Sequence, residues 1–266
     1  MTWLERHAVA LSGALFHDPS PGVAFLIYHR VSGELPTGID LPFALFERQM
    51  RALARSERVI SYERAIDSMR EGTGPDRDRV VITFDDGFED LHRRAFPLLR
   101  ELRLPFTAFI AAGYVEERVP YVLSKPPAFP VPPLEWTMIR DMLDSGLMTL
   151  GAHGYRHREL PAIDEREKED ELLRPLELFH QRLGIAPAHY AYPRARWDAA
   201  SEALVRRHYK TAAVAGFGKV TARSFHPHRI ERIPILRGDG RLFFQAKFRG
   251  WLAGERAIYE RRLGAK

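Results

Sequence analysis

The sequence predicts an α/β fold of parallel βαβ units, and three observations predict it. Short apolar segments alternate with segments of helical periodicity along the chain. The clearest of them, Val80–Phe84 (VVITF), is almost wholly apolar, as a strand covered on both faces must be. The 266 residues suffice to close such units into one (β/α) barrel with little left over. An open doubly wound sheet is the alternative these observations leave standing.

Taken in order, the strand segments are Val23–Tyr28, Arg79–Phe84, Phe106–Ala111, Met148–Gly151, His189–Tyr192 and Thr211–Ala215. The helical patterns between them are Pro42–Ser56, Tyr62–Arg70, Asp90–Leu102, Leu134–Ser145, Asp164–Leu183 and Asp198–His208. Ser61 is placed to cap one helix, and Asp164 opens an acidic first turn in another, where negative charge suits the helix dipole. Three segments stand outside this rhythm. Trp3, His7, Leu11 and Leu15 recur at helical spacing, which favours an amphipathic surface helix over a cleaved signal peptide. The proline-rich stretch Val119–Pro133 reads as a long ordered loop, either a substrate-binding wall or a plain insertion. Arg241–Arg262 reads as a basic amphipathic helix, with Phe244, Phe248, Trp251, Leu252, Ile258 and Tyr259 on one side and Lys247, Arg249, Arg256, Arg261 and Arg262 around them. Such a helix packs on its own domain or touches a membrane surface. A single domain over residues 1–266, with a core of about 23–236, is the expected organisation.

Composition narrows the chemistry. There is no Cys, which removes disulfides, thiol nucleophiles, Cys-ligated zinc and iron–sulfur clusters. Any metal must be held by His, Asp or Glu. The net charge of +5 suits phosphate, carboxylate, anionic lipid or nucleic acid alike. No helix-turn-helix, RNP-like block or zinc finger supports the last, so no nucleic-acid partner is expected. No apolar run is long enough to span a bilayer, and the expected location is cytoplasmic, with contact at the inner membrane or an exported form as alternatives.

The densest chemical signal is Val80–Gly87 (VVITFDDG), a buried strand ending in two carboxylates and a turn glycine. Side chains at the carboxyl ends of parallel barrel strands converge on the active site. Consecutive residues point to opposite sides, so one of Asp85 and Asp86 can ligate a metal while the other stays free as a base. A second signal is Gly151–His157 (GAHGYRH), again after a short strand. Its glycines argue for a strand-end loop, from which His153 and His157 can both reach one ion. With one Asp they make a two-His, one-carboxylate site open to water and substrate. A third, Tyr190–Trp197 (YAYPRARW), offers Tyr192, Pro193, Arg194 and Trp197 for a sugar ring, or a backbone N–H for an oxyanion. His29 closes the first strand segment, where a catalytic side chain would sit, and Arg229–Ile235 (RIERIPI) carries Arg232.

In this order the elements resemble the polysaccharide deacetylase family, the carbohydrate esterases with the NodB homology domain. The resemblance runs from about Tyr28 to Ile235 and is carried by TFDDG with a downstream HxxxH. It implies a distorted (β/α) barrel with fewer than eight full units. It implies Asp85 as general base and Asp86, His153 and His157 as metal ligands. The YHRV and AYP blocks are similar to the circularly permuted subgroup that includes exopolysaccharide and poly-N-acetylglucosamine deacetylases, which implies His29 as catalytic acid. The chain departs from the pattern in three places: Gly154 stands for Ser or Thr, Arg194 for an aromatic residue followed by Gly, and Ala191 for an Arg whose part Arg232 takes by orienting Asp85. The implied activity is metal-dependent removal of N-acetyl groups from an acetylated amino-sugar glycan or its precursor. The implied cofactor is a divalent ion, Zn2+ first, with Ni2+, Co2+ or Fe2+ as alternatives. O-deacetylation, deformylation of a lipid-linked or nucleotide-linked sugar, and a catalytically silent carbohydrate-binding domain are the competing readings.

Overall fold

The computed structural model describes residues 20–119, 121–123 and 129–249. In chain order the strands are β1 (Val23–Tyr28), β2 (Arg79–Phe84), β3 (Phe106–Ile110), β4 (Tyr121–Leu123), β5 (Phe129–Val131), β6 (Met148–Ala152), β7 (His189–Ala191), β8 (Thr211–Ala215) and β9 (Ile230–Pro234). Seven of them close a barrel in the order β1-β2-β3-β6-β7-β8-β9, every neighbour parallel, with β9 returning to β1. The barrel outcome replaces the open sheet. The helices are α1 (Phe43–Ser56), α2 (Tyr62–Arg70), α3 (Phe96–Glu101), α4 (Ala112–Glu117), α5 (Trp136–Asp144), α6 (Glu165–Leu183), α7 (Ala199–His208) and α8 (Arg241–Phe248).

Alternation along the strands builds two separate apolar layers. Ala24, Leu26, Tyr28, Val80, Ile82 and Phe84 pack outward against the helices. Val23, Phe25, Val81, Phe109, Ala213 and Ile230 face the lumen, together with Tyr62, Ala65 and Ile66 of α2. Tyr62 thus plugs the barrel floor, its ring edge-on to Phe25 and Phe109. Beside it the buried His189 is held between the Thr211 hydroxyl (2.8 Å) and the Glu63 carboxylate (2.7 Å). With the floor closed by aromatic packing, the polar chemistry is confined to the opposite mouth.

The predicted caps form. Ser61 Oγ accepts the Arg64 N–H at the start of α2, and Asp164 and Glu167 make a reciprocal capping box at the start of α6. The segment Asp90–Leu102 is less regular than its periodicity suggests: a π-helical turn, Leu91–Ala95, precedes α3. Three elements differ more. Val119–Pro133 is not a structureless loop, because β4 and β5 pair in an antiparallel hairpin. Pro130 is tolerated there because a two-stranded ribbon leaves one side of each strand without a partner. The same segment then returns to the Asp-Asp-Gly turn, where Leu134 N–H donates to Gly87 O and Glu89 N–H to Pro132 O. Strand β9 lies in a stretch read only for its chemistry, since the inward-facing Arg232 breaks the apolar pattern. No helix connects β8 to β9, which makes the barrel irregular on that side.

Of the predicted C-terminal helix, α8 is described. Trp251, Leu252, Ile258, Tyr259, Arg256, Arg261 and Arg262 lie outside the described residues, as do Trp3, His7, Leu11 and Leu15. Helix α8 docks on its own domain: Phe243, Phe244 and Ala246 are buried. Lys247, expected on the basic surface, is buried as well, donating to Asp239 Oδ2 (2.6 Å) and to Pro234 O. No described helix is long and apolar enough to cross a membrane.

Removing one member of a buried ion pair strands the other without compensation. Asp239→Ala is therefore expected to lower the unfolding free energy by about 3–5 kcal/mol, and Lys247→Met added to it to recover most of that loss. Urea unfolding of both variants checks this. A single-variant cost below about 1 kcal/mol, the range of an exposed pair, would show that the contact does not anchor α8.

Candidate active site

Because all seven barrel strands run the same way, His29 after β1, Asp85 after β2, His153 after β6 and Tyr192 after β7 reach one mouth. There His29, Asp85, Asp86, His153, His157, Tyr192, Arg194 and Arg232 border a single cavity of about 360 Å3. Of the residues singled out from sequence, two do not border it. Pro193 is buried behind the turn, and Trp197 lines a neighbouring cavity.

Asp85 faces the lumen and is 5% exposed. Arg232, 1% exposed, reaches it from β9 with both guanidinium nitrogens, Nη1 to Oδ1 at 2.6 Å and Nη2 to Oδ2 at 2.8 Å. The guanidinium also donates to Thr83 Oγ1 and lies over the Phe109 ring. Burial alone would raise the Asp85 carboxyl, but Arg232, helped by His153 and His29, overrides it and holds the group near 2. The adjacent Asp86 sits in a left-handed backbone conformation (φ 75°), followed by Gly87 (φ 89°). A Cβ on Gly87 would meet Ile110 Cγ2 at 2.8 Å, so the turn that splits the two carboxylates requires glycine. Burial, and then the charge of Asp85, drives Asp86 upward. Adjacent residues are thereby pushed in opposite directions.

His153 and His157 complete the convergence. His153 Nε2 is 3.5 Å and His157 Nε2 3.3 Å from Asp86 Oδ1, and one donor atom from each of the three lies within 4.8 Å of the others. His153 Nδ1 donates to Ala191 O at 2.7 Å, which leaves the Nε2 lone pair facing the cluster. Burial lowers both imidazoles, and His153 lowers His157 further, to about 2, so both are neutral and able to donate lone pairs. Two neutral imidazoles and a buried carboxylate fit a divalent ion. Backbone strain gathers here too: Asp86, His157, Arg194 and Ala195 all have positive φ, whereas Glu57, Arg103 and Arg118 have it at helix ends.

The loop bearing the two His is held by a residue with no sequence signal. The buried carboxylate of Glu171, on α6, accepts the N–H groups of Tyr155, Arg156 and Arg158. Gly154 has φ 79°, and a Cβ there would lie 2.5 Å from Glu171 Oε2. Glycine at this position is therefore what lets the clamp approach. The segment after His29 is pinned in a similar way. Asp40 accepts from the amides of Ser32, Gly33 and Leu35, and Asp90 from that of Val31 at 2.6 Å. Burial pulls His29 itself down to about 4, only partly opposed by Asp85, so it is a neutral imidazole at pH 7.

Comparisons with known proteins bear on the family and the fold. A family model described as polysaccharide deacetylase matches residues 72–213. The YxkH protein of Bacillus subtilis strain 168, provisionally named a polysaccharide deacetylase, is 21% identical over 65% of this chain. That match covers 57% of the relative, so the chain accounts for little more than half of its length. The deacetylase PplD of Streptococcus pyogenes, solved with acetate, superposes with a TM-score of 0.73 at 18% identity over 86% of this chain and 99% of its own. IcaB of Ammonifex degensii does so with a TM-score of 0.69 at 21% identity, over 88% and 98%. At these identities the two structures establish a shared barrel fold.

Two outcomes follow from the loop clamps. Glu171→Gln keeps the shape but weakens acceptance of three amides, so metal affinity is expected to drop about 10–100-fold with the fold intact. Titration calorimetry with Zn2+ measures it, and an unchanged Kd would remove the clamp from the metal site. Burial, against the pull of the Val31 N–H and Arg30, raises the Asp90 carboxyl to about 6 from 3.8. The folded state then keeps a proton that the unfolded chain has released, so this contribution is full below pH 4 and lost as pH rises through 6. Relative to Asp90→Asn, the wild-type protein should lose up to about 3 kcal/mol between pH 4 and pH 7, read by denaturant unfolding at each pH.

Proposed function

The chain belongs to the polysaccharide deacetylase family, and on that premise we propose that it is a metal-dependent hydrolase removing N-acetyl groups from amino sugars of a glycan. One observation carries the reading: Asp86, His153 and His157 converge on a point beside a second carboxylate, Asp85, that Arg232 holds from behind. A carbohydrate-binding module has no use for a second carboxylate held beside a metal-ligand cluster. A divalent ion held by Asp86, His153 and His157, for which Zn2+ suits the donor set, supplies Lewis acidity toward the attacking water and the acyl oxygen.

The remaining steps belong to the chain's own residues. Asp85 accepts the proton of the water as it adds to the amide carbon. The Arg232 fork fixes both carboxylate oxygens, so the base cannot rotate away or swing onto the metal ligands. Arg194 lines the cavity in a left-handed turn, and its backbone N–H is our assignment for the donor to the developing oxyanion. An amine cannot leave as an anion at neutral pH, so a proton must reach the nitrogen before the C–N bond breaks. His29 is neutral in the free site and becomes basic only once attack has put negative charge beside it. As that charge builds, His29 takes over the proton held by Asp85 and gives it to the departing nitrogen, so the water supplies the oxygen and proton that acetate and amine need. Water and amide are consumed, and acetate and the free amine result.

Acetate release from N-acetylglucosamine oligomers is expected to cease with chelator and to return with Zn2+. Asp85→Asn should lower kcat about 10²–10⁴-fold while metal content stays the same, and unchanged turnover would sink the base assignment. His29→Ala should damage amide hydrolysis far more than hydrolysis of an activated acetate ester, whose leaving group needs no proton. Equal losses on both substrates would remove the acid role.

A further inference from the structure

Helices α1 and α8 follow the neighbouring strands β1 and β9, and a groove of about 330 Å3 lies between them, apart from the catalytic cavity. Its lining is of two kinds. Leu45 and Ala52 of α1, with Phe244 and Phe248 of α8, give it apolar walls. Arg48 and Arg55 of α1 and Arg241 of α8 stand exposed around them. None of these three guanidinium groups forms an ion pair or a side-chain hydrogen bond with a described residue, whereas Arg51, on the same helix, is bound by Glu47 and Glu101. Among the described residues of the walls Asp239 is the only acid, and Lys247 already faces it at 2.6 Å.

An unmet donor lies in the same lining. Gln49 is 3% exposed, and its Oε1 accepts the Tyr28 hydroxyl at 3.0 Å, but its buried Nε2 donates to no described atom. A buried amide without an acceptor is costly. Three cations and a free N–H call for negative charge spread over several acceptor oxygens, and the walls call for an alkyl body. Leu242, beside Arg241, points to where such a molecule comes from. It is 64% exposed, the most of any large apolar side chain among the described residues, and it does not line the groove. A small dissolved ligand would leave it in water, whereas an apolar side chain next to a basic rim suits the interface of a bilayer. A partner's helix, about 10 Å across, needs a longer and wider seat than this groove offers.

We propose that the groove between α1 and α8 binds an anionic amphiphile, a phosphate head on an acyl body, supplied by the surface of a bilayer rich in acidic phospholipid. The proposal is independent of the deacetylase reading. It assigns Arg48, Arg55 and Arg241 to the phosphate, Gln49 to one of its oxygens, and Leu242 to the interface beside it.

The test is sedimentation of the full chain with phosphatidylglycerol–phosphatidylcholine vesicles and with vesicles of phosphatidylcholine alone. Binding should favour the acidic vesicles and weaken as salt rises from about 0.1 M to about 0.5 M. The combined Arg48→Ala, Arg55→Ala, Arg241→Ala variant should lower partitioning about 100-fold. Ala52→Trp, at an exposed position of the groove, should weaken it without a change of charge. Unchanged unfolding midpoints show that the variants fold. Decyl phosphate below its micelle concentration should bind more tightly than inorganic phosphate and compete with the vesicles. Leu242→Ser should weaken vesicle binding and leave decyl phosphate binding as it was. Equal binding to neutral and acidic vesicles, or acidic-vesicle binding untouched by both groove variants, would overturn the proposal. So would decyl phosphate binding without vesicle binding, since the source would then be a dissolved amphiphile. Displacement from vesicles by poly-glutamate more readily than by decyl phosphate would point to an acidic protein and overturn it as well.

Discussion

A guanidinium and a carboxylate facing each other in the barrel lumen constrain everything around them. Arg232 and Asp85 come from strands separated by most of the chain, and the barrel brings them together only when β9 closes onto β1. Neither charge could be buried alone; the desolvation penalty of either is several kcal/mol. The pair therefore couples closure of the fold to assembly of the site. It also explains why the interior is apolar below and charged above. Tyr62, Phe25 and Phe109 fill the floor, and Phe109 in turn offers its ring to the guanidinium.

That arrangement separates two carboxylates that are adjacent in sequence. Asp85 is held low because a cation faces it, and Asp86 is driven up by burial and then by the charge of Asp85. Pairs of like groups pushed apart by their surroundings are how one site runs two kinds of chemistry. The physical cause is the turn. Strand alternation turns Asp85 inward, the left-handed backbone at Asp86 and Gly87 points the next carboxylate over the rim, and only there can it meet His153 and His157. A strand that continued one residue further would put Asp86 on the outer face, among the helices.

How much of this was legible in the sequence depended on whether a residue followed the pattern of its element. β1, β2, β3, β6 and β8 were readable because their residues are apolar on both faces, and the cap at Asp164 because its partner Glu167 is local. The carboxylates and the His pair were readable because strand ends concentrate function. β9 was hidden by Arg232, an inward-facing charge that looks like surface until Asp85 is placed opposite it. The β4–β5 hairpin was hidden by its prolines. Trp197 shared a short block with Tyr192 and Arg194, yet the turn at Pro193–Ala195 sends it to a different cavity. Glu171 carries no signal at all: it is one acid in the run Glu165–Glu171, and only the helix phase buries it while Glu169 and Asp170 stay exposed.

Glu171 also changes the meaning of the position it holds. A hydroxyl residue at 154 could stabilise the His loop from within, through a short side-chain bond. Here glycine leaves the loop without that bond, and three of the loop's own amides turn to a carboxylate on α6 instead. The two solutions exclude each other, because a Cβ at 154 would occupy the place of Glu171 Oε2. The departure at Gly154 is therefore one half of an exchange and not a loss. It moves control of the His loop from the loop to a long, capped helix, so that the stability of α6 becomes part of the geometry of the Asp86, His153 and His157 cluster.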